Sequence, residues 1–551
     1  MCGIWAIFGS EVNVSTLWHN SLKIAHRGPD AFRIENVNHL KNCCMAFYHL
    51  AVVDDTFGIQ PMRLHSLPHL WMIYNGEIYY QKLIQQQFGF DFETNSDGEV
   101  ILHLYNHGGI EFAAQHLDGV FAFVLLDTLK RKVYVGRDTF GVRPAFCLVE
   151  DGFLAVCSEA KGLLGLAQCS NDQSVDIQPF PPGHVETYSL DQGGKAKLEE
   201  VKRFHQIGDM PKYKTMAPAL VDSISTNIRN LLDAAVKKRL MANRPIGCLL
   251  SGGLDSSLVT ALVVKNAKEM GIKYKIRTFA TGMPGSTDIK AARKVADFLG
   301  TEHHEVFFSE KEGVQALGDV ITCLENYDII TVRAAVGMYL VSKYISEKTD
   351  TVVIFSGEGA DELCQGYMYF HNAPSADDAD VESRRLLDVL YRYDVLRVDR
   401  TTARWGLEVR VPFLDHQFTS YYLSIDPKLR QPKDGIEKHL LRSAFENERL
   451  IPNDILWRPK EGFSDGVSSE KRSWHCVIKE FVAPRVNDED LKNAPKTFLC
   501  NPPSSKESYF FRQLFEDQFP GRPFWIPYYW RPKWSQTEDP SARMLKHYKY
   551  M

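Results

Sequence analysis

The second residue of the chain is a cysteine, and an apolar run from Gly3 to Phe8 follows it. Removal of Met1 would place a thiol and an α-amine on the same residue. An α-amine has an ordinary pKa of about 8 and can act as general base for that thiol. The apolar run predicts a strand that keeps the terminus from fraying. Cys2 is therefore a candidate nucleophile that needs no histidine partner.

A second candidate site lies at residues 251–256, Ser-Gly-Gly-Leu-Asp-Ser, between an apolar run at 246–250 and a predicted helix. Glycines allow a backbone to approach a ligand closely, and the amides at a helix N-terminus bind anions such as pyrophosphate. The segment is not a Walker A loop, because no Gly-Lys-Ser/Thr follows the glycines. It predicts a phosphate site of another kind.

Three carboxylates, Glu358, Asp361 and Glu362, follow the apolar run 352–355. Such a cluster at a sheet edge is costly unless a metal ion or cationic side chains compensate it. Magnesium binds carboxylates together with phosphate oxygens. Asp255 and Asp361 are therefore candidate Mg²⁺ ligands beside a pyrophosphate group.

Two different patterns of elements must position these residues. Up to about residue 190, short alternating or apolar runs are separated by turns, with helices near 81–88 and 97–107, which predicts an α+β domain. From about residue 218, strands alternate with helices, which predicts an α/β domain whose parallel sheet binds ligands at the carboxyl ends of its strands. The predicted boundaries are a first domain at 2–190, a linker at 191–215, a second domain at 216–535 and an irregular tail at 536–551.

Two motifs of the first domain each allow a structural and a functional interpretation. Asn75-Gly76 follows the predicted strand 70–74, and an Asn-Gly pair is most often a hairpin turn. Asp97 precedes a predicted helix, where aspartate is a favoured N-cap. Both residues could instead belong to a site with Cys2.

The composition excludes several classes of protein. The 551 residues are 44% hydrophobic and 24% charged, as in a soluble globular protein of two or more domains. A net charge of -5 favours neither nucleic acid nor a membrane surface as partner. We expect no signal peptide and no membrane span, because the first apolar stretch stops at Gly9 and no run of about 18 apolar residues follows. The 11 cysteines form no CxxC pair, so we expect neither zinc nor disulfides and a cytosolic location.

Cys2, the motif around Asn75 and the segment 96–99 together resemble the class II, N-terminal-nucleophile glutamine amidotransferases over residues 2 to about 190. The resemblance implies an αββα sandwich of the Ntn-hydrolase type, in which the thiol attacks the side-chain amide of glutamine. The side chain of Asn75 and the backbone amide of Gly76 would form the oxyanion hole. The other implied glutamine contacts are His49, Leu50, Ala51, Val52, Val53, Glu77 and Asp97.

Position 49 departs from that family, which usually carries an arginine there to bind the α-carboxylate of glutamine. Histidine offers at most two donors and is mostly neutral at pH 7. The carboxylates of Glu77 and Asp97 suit the ammonium group of the same substrate. Since Cys2 and the oxyanion hole remain, we expect weakened glutamine affinity in an otherwise competent site.

The Ser-Gly-Gly-x-Asp-Ser order resembles the pyrophosphate loop of ATP pyrophosphatases, which cleave ATP to AMP and pyrophosphate. With Cys2, the segment 352–362 and the segment 457–461, the whole chain resembles the glutamine-hydrolysing asparagine synthetases of eukaryotes. The second domain would then have an adenine nucleotide α-hydrolase-like fold. ATP would adenylate the β-carboxylate of aspartate, and ammonia from glutamine would convert the β-aspartyl-AMP into asparagine, AMP and pyrophosphate.

The same resemblance implies roles for residues of the second domain. Glu358 would accept a proton from the attacking ammonia or orient the intermediate. Arg333 and Lys460 would neutralise charge on the phosphates. Leu249, Thr281, Ser356 and Gly357 would contact the adenosine. The implied ATP-binding set is Leu249, Ser251, Gly252, Gly253, Asp255, Ser256, Thr281, Ser356, Gly357 and Asp361, with Mg²⁺ on Asp255 and Asp361.

Three interpretations stay open at this point. The first is a two-site enzyme in which ammonia passes from one domain to the other. The second is an ammonia-dependent synthetase with an impaired glutaminase, because of His49. The third is a non-catalytic homologue that binds nucleotide or a partner, against which Cys2, Asn75 and Glu358 argue. A β-lactam-forming synthetase typically lacks the N-terminal cysteine, so the presence of Cys2 argues against that enzyme. By analogy with the family, a homodimer is expected.

Overall fold

The computed structural model describes residues 1–10, 14–37, 40, 42–53, 58–166, 177–213, 218–469, 472–535 and 539. The chain divides into two compact units. The first comprises residues 1–215, 241–244 and 403–408, and the second comprises 216–240, 245–402 and 409–551. The tail predicted at 536–551 lies outside the described residues except for Asp539, as do the last two residues of the predicted linker.

The described part of the first unit contains eleven strands and three helices. The strands are β1 (Gly3–Phe8), β2 (Ala31–Asn36), β3 (Cys43–His49), β4 (Leu70–Ile78), β5 (Gly119–Asp127), β6 (Lys132–Arg137), β7 (Phe146–Glu150), β8 (Phe153–Cys157), β9 (Gln178–Pro179), β10 (His184–Leu190) and β11 (Ala196–Arg203). The helices are α1 (Val14–Leu22), α2 (Gln81–Phe88) and α3 (Glu99–His116).

These strands form two antiparallel sheets that pack face to face. One has the order β2-β3-β1-β8-β7-β9 and the other the order β11-β10-β6-β5-β4. Along β5, Ala122 and Val124 belong to the core between the sheets, whereas Phe121 and Phe123 belong to the core under α2 and α3. This alternation is what a strand buried on both faces produces. With α1 and the short helical turn Ala160–Leu163 packed together near β8, the αββα sandwich is confirmed.

Two details of the first unit correct the predictions. Asn75 and Gly76 do not form a hairpin turn, because they lie inside β4 and pair with Ala122 and Phe121 of β5. A Cβ atom at Gly76 would come 2.2 Å from the carbonyl oxygen of Val120, so the glycine permits the close approach of two strands. The predicted linker is also too long, because its residues 196–203 form β11 and pair with β10.

The second unit alternates strands and helices, as predicted. Its elements are α4 (Ile224–Lys238), β12 (Ile246–Leu249), α5 (Leu254–Glu269), β13 (Arg277–Gly282), α6 (Thr287–Leu299), β14 (Glu302–Phe307), α7 (Glu310–Gln315), α8 (Leu317–Leu324), α9 (Ile329–Lys348), β15 (Val353–Phe355), α10 (Ala360–Leu363), α11 (Ala376–Val389), α12 (Asp394–Ala403), β16 (Glu408–Arg410), α13 (His416–Ser424), α14 (Pro427–Arg430), α15 (His439–Phe445), α16 (Asn453–Leu456), α17 (Phe463–Gly466), α18 (Trp474–Val482), α19 (Asp488–Thr497) and α20 (Lys506–Gln518).

The sheet of the second unit has the order β14-β13-β12-β15-β16. Strand β12 pairs in parallel with β13 on one side and with β15 on the other. The chain therefore reverses its direction of winding at β12, and in such sheets the crevice at the reversal binds ligands. The loops after β12 and β15 carry the segments 251–256 and 356–362, so this topology brings the two predicted phosphate-site segments to one edge.

Helix α9 has the length and apolar character of a membrane span, with a mean hydropathy of 1.2. Its most apolar window is 67% buried inside the protein. A mostly buried apolar helix is what the core of a large α/β unit requires.

We expect Gly76→Ala to disrupt the pairing of β4 with β5, because the added methyl group collides with the backbone of Val120. Overpacking of this kind costs roughly 1–3 kcal/mol. The measurement is hydrogen exchange of the β4 and β5 amides, which should become faster. Gly318→Ala, where no atom lies within 4 Å of the added Cβ, is the control. Unchanged exchange in the Gly76 variant would contradict the close approach of the strands.

Candidate active sites

The N-terminus of the first unit is held by a buried arginine. Arg27 Nε donates to the carbonyl oxygen of Cys2 at 3.0 Å, and Arg27 Nη1 lies 2.8 Å from Glu159. Glu159 also contacts Lys161 at 2.5 Å and His26 at 3.1 Å. Strand β1 lies between β3 and β8, and the backbone of Cys2 just before it is bound by Arg27. Cys2 therefore has a defined position and does not fray.

The Cys2 thiol accepts a hydrogen bond from the backbone N–H of Leu50, with 3.4 Å between nitrogen and sulfur. Burial raises the pKa of this thiol to about 11. The terminal amine belongs to Met1, where burial lowers its pKa to about 6, and it donates to the carbonyl oxygen of Leu407. While Met1 is attached, the nitrogen of Cys2 is part of a peptide bond. The predicted self-activation of Cys2 therefore requires removal of Met1.

Asn75, Glu77 and His49 share the inter-sheet side of their strands with Cys2. On β4, Trp71 and Ile73 belong to the core between the sheets, and Asn75 and Glu77 continue the same alternation. On β3, Cys43, Met45 and Phe47 belong to the same core, and His49 is the next residue in this alternation. The side chain of Cys2 packs against the same core. The structure thus places these four predicted residues on the same inter-sheet side.

The side-chain nitrogen of Asn75 is a buried donor in need of an acceptor. Asn75 is 1% exposed, and its Nδ2 has no hydrogen-bond partner among the described residues. A buried donor without a partner is rare in folded proteins and calls for an explanation. A donor kept ready for a transient oxyanion is such an explanation.

Asp97 is not an N-cap. Gly98 occupies that position of α3, and no side chain caps the helix. Instead, Asp97 Oδ2 accepts hydrogen bonds from the Tyr74 hydroxyl at 2.5 Å and from the Ile78 N–H at 2.6 Å. Burial raises the pKa of Asp97 to about 6. The carboxylate is therefore fixed against β4 and mostly ionised at neutral pH.

The segment from Leu50 to Val53, which follows β3, is held by its backbone. The Ala51 N–H donates to Asp30 at 2.8 Å. Asn243 donates through its backbone N–H to the carbonyl oxygen of Val52 at 2.8 Å and through its side chain to that of Val53 at 2.6 Å. His49 itself is 7% exposed, and its ring centre lies 5.6 Å from that of Phe47.

In the second unit, a cavity of about 220 Å³ lies where the loops after β12 and β15 meet. A Cβ atom at Gly357 would come 2.9 Å from the backbone nitrogen of Ser256, so the two loops are in direct contact. The sequence-predicted residues that line the cavity are Leu249, Ser251, Gly253, Asp255, Ser256, Thr281, Ser356, Gly357, Glu358, Asp361 and Lys460. Gly252 does not line it; it has a φ of +72° and packs against the backbone of α6, which shapes the loop.

Two ammonium groups neutralise the carboxylates at this edge. Lys438 Nζ lies 2.6 and 2.5 Å from the two carboxylate oxygens of Asp255 and 2.5 Å from Asp361 Oδ1. Lys460 Nζ lies 2.6 Å from Asp361 Oδ2. Burial alone would raise the pKa of Asp361, but the two lysines outweigh it and hold that pKa well below its usual range. Cations thus compensate the cluster, as the sequence requires.

Lys438 is a site residue that sequence reasoning missed. It lies 183 positions from Asp255 in the chain, so no spacing rule connects them. Its backbone has a φ of 55°, and the side chain is 1% exposed. A buried lysine needs carboxylate partners, but the sequence does not show that residue 438 is buried.

The structure corrects the prediction for Arg333. Its guanidinium makes a bidentate pair with Glu507 of α20, at 2.7 and 2.6 Å, and contacts Asp539 at 3.0 Å. Thr331 and Ala334 of the same helix line the cavity, whereas Arg333 does not. Residues one or two positions apart on a helix do not share a face, so Arg333, next to Ala334 and two positions after Thr331, points toward α20 instead. Its charge is therefore already neutralised by acidic side chains.

Glu358 lies in the cavity and pairs with an arginine that the sequence did not single out. Arg397 Nη2 lies 3.0 and 3.1 Å from the two oxygens of Glu358. Burial raises the pKa of Glu358, and the charge of Arg397 opposes that rise. The pair favours the ionised carboxylate, which can accept a proton.

Comparisons with known proteins cover both units. A family model described as glutamine amidotransferase domain matches residues 1–200, and one described as asparagine synthase matches residues 227–384 and 373–545. The chain is 58% identical over 557 residues to a protein of Gallus gallus named asparagine synthetase (glutamine-hydrolyzing). It is 57% identical to the protein of that name from Homo sapiens. Both alignments cover 100% of this chain and 99% of the relative.

We expect Lys438→Met to destabilise the second unit by about 3 kcal/mol at pH 7, because it leaves Asp255 and Asp361 close together with one ammonium group fewer. A depressed carboxylate pKa contributes stability above the unfolded-state pKa, and this contribution is lost as the pH falls through the folded-state value. The difference between variant and wild type should therefore shrink below about pH 4.

Thermal unfolding at several pH values measures this effect. Lys265→Met is the matched control, because Lys265 is 44% exposed in its pair with Asp233 and a surface pair contributes little. Equal unfolding midpoints for Lys438→Met and wild type at pH 7 would contradict the compensating role of Lys438.

Proposed function

Because the chain belongs to the family of glutamine-hydrolysing asparagine synthetases, we propose that it makes asparagine from aspartate, with ATP as activating co-substrate and glutamine as nitrogen donor. The observation that carries the proposal is the cavity of the second unit. There the 251–256 loop and Glu358 meet the carboxylates of Asp255 and Asp361, which are paired with lysines. It combines an anion site with ionised groups suited to acyl activation. The shared name of the relatives and the presence of Cys2 leave the ammonia-dependent and the non-catalytic alternatives without support.

Glutamine is hydrolysed in the first unit after Met1 is removed. The Cys2 sulfur bonds to the side-chain amide carbon of glutamine, and the α-amine of Cys2 takes the thiol proton. That proton passes to the leaving nitrogen, the carbon–nitrogen bond breaks, and ammonia departs. Water then hydrolyses the thioester to glutamate. The buried Nδ2 of Asn75 donates to the oxyanion that forms in each step.

The two ends of glutamine need opposite charges from the protein. Asp97 and Glu77 present carboxylates to the ammonium group, and Asp97 is ionised above about pH 6. His49 offers only an imidazole to the α-carboxylate. This imbalance supports weak glutamine binding rather than loss of the reaction.

Aspartate is activated in the second unit. An oxygen of its β-carboxylate bonds to the α-phosphorus of ATP, and the bond to the bridging oxygen breaks, so that pyrophosphate leaves. The amides of the 251–256 loop and the ammonium group of Lys460 stabilise the negative charge on the phosphates. Ammonia then attacks the acyl carbon, Glu358 accepts a proton, and AMP departs.

Asp255 and Asp361 fit a magnesium ion. Their carboxylates converge on one ammonium group, and magnesium prefers such hard oxygen donors. No group of three or more His, Cys, Asp or Glu residues suited to a metal occurs in the part of the chain that the structure describes. Phosphate oxygens and water would therefore complete the coordination, and the bound ion would neutralise phosphate charge. The homodimer and the cytosolic location stay predictions.

The first test compares the two nitrogen donors. We expect Cys2→Ala to abolish asparagine formation from glutamine and to leave formation from ammonium largely intact, because the thiol serves only the first unit. Asparagine is quantified with each donor at saturating ATP and aspartate. The Cys476→Ala variant, which removes an exposed cysteine, is the control. Equal loss with both donors would refute the two-site assignment.

The second test concerns His49. We expect His49→Arg to lower the KM for glutamine by about 10- to 150-fold, because a charge-assisted bidentate pair with the α-carboxylate contributes roughly 1.5–3 kcal/mol. The KM for ammonium should change little. Steady-state kinetics with both donors measure this. An unchanged KM for glutamine would mean that position 49 does not bind the carboxylate.

A further inference from the structure

One end of the cavity in the second unit carries a cluster of acidic side chains around a single arginine. Asp394 and Arg397 lie in the first turn of α12 and form an ion pair. Arg397 also binds both oxygens of Glu358, at 3.0 and 3.1 Å. The Tyr367 hydroxyl lies 2.8 Å from Asp394 and 2.6 Å from Glu362. Asp394, Arg397, Tyr367 and Glu358 all line the cavity.

The arginine has a donor that its present partners leave unused. The side chain of Arg397 is 7% exposed, and its Nε is buried without a hydrogen-bond partner among the described residues. Burial of an unpaired donor of a charged group is costly. A carboxylate ligand would satisfy it, since guanidinium and carboxylate match in shape.

The cluster also carries an excess of negative charge. Asp394 and Glu358 both pair with the guanidinium of Arg397. Two carboxylates facing one guanidinium leave the cluster with room for one further positive charge. An ammonium group next to a carboxylate in the ligand would meet both needs at once.

We propose that Arg397 and Asp394 form the subsite for the amino-acid end of aspartate, with Arg397 binding the α-carboxylate and Asp394 the α-ammonium group. The inference rests on the proposed function and names the residues that select its amino-acid substrate. Glu358 contacts Arg397 and directly follows Gly357, which belongs to the proposed adenosine contact. An aspartate held at Arg397 and Asp394 then lies in the same cavity as the proposed phosphate-binding residues of the 251–256 loop.

Two analogues of aspartate separate the two contacts. Succinate lacks the α-ammonium group, and β-alanine lacks the α-carboxylate. The assay is ammonium-driven release of pyrophosphate by the full chain, which leaves the glutaminase out. It gives the KM for aspartate and the inhibition constants of both analogues for wild type, Asp394→Asn and Arg397→Gln.

We expect Asp394→Asn to raise the KM for aspartate about 10- to 100-fold while the inhibition constant of succinate changes little. Arg397→Gln should raise the KM for aspartate to a similar extent, while the inhibition constant of β-alanine changes little. Arg397→Lys, which keeps a charge beside Glu358, should recover part of the affinity. The KM for ATP should stay within about threefold throughout. Arg293→Gln and Asp377→Asn, at exposed positions of other helices, are the matched controls.

The pattern across analogues distinguishes a contact from a structural effect. Variants that weaken aspartate, succinate and β-alanine by equal factors would overturn the subsite, because a general disturbance of the cavity does not discriminate among them. If Arg397→Gln does not fold, the succinate comparison in Asp394→Asn decides alone. A wild-type chain that releases pyrophosphate with aspartate, combined with variants of unchanged KM, overturns the subsite only. A wild-type chain that releases none overturns the proposed function and the subsite together.

Discussion

The balance of charge between two aspartates and two lysines is the constraint on which the second unit depends. Asp255 and Asp361 must stand together at the carboxyl edge of the sheet to serve phosphate chemistry, but two buried carboxylates repel each other and lose their hydration. Lys438 contacts both, and Lys460 contacts Asp361 most closely. The surrounding backbone is fitted to this arrangement, because a Cβ atom at Gly366 would come 2.0 Å from Cε of Lys438. The four charges thus preorganise the cavity.

In the first unit, the pairing of strands rather than ion pairs positions the reactive groups. Of its proposed reactive groups, Cys2 directly precedes β1 of one sheet and Asn75 lies on β4 of the other, and both face the core between the two sheets. Alternation along a strand decides which residues reach that core, and the pairing of β1 with β3 and β8 fixes where the terminus lies. Arg27 and Glu159 complete the anchor through one buried pair. This framework fixes the position of a nucleophile that lies at the end of the chain.

Local signals predicted most of the elements and misled at a few positions. The helix expected near residues 81–88 is α2, and the strand expected at 246–250 is β12, because both segments have clear periodicity and turn residues at their ends. Asn75-Gly76 has the composition of a turn, but its pairing with β5 keeps it extended. Residues 196–203 read as a polar linker, since an edge strand exposes most of its side chains. In each case a long-range partner outweighed the local preference.

The sequence by itself determined the two kinds of fold, the nucleophile at position 2 and the two loops of the second unit, because these depend on local composition and on the order of elements. Only the tertiary structure decided which charges meet. Lys438 joins the aspartates from 183 residues away, Arg397 joins Glu358, and Arg333 turns from the cavity to Glu507. The physical reason is that the energy of a buried charge depends on its distance from other charges and on its burial. The spacing of residues along the chain specifies neither.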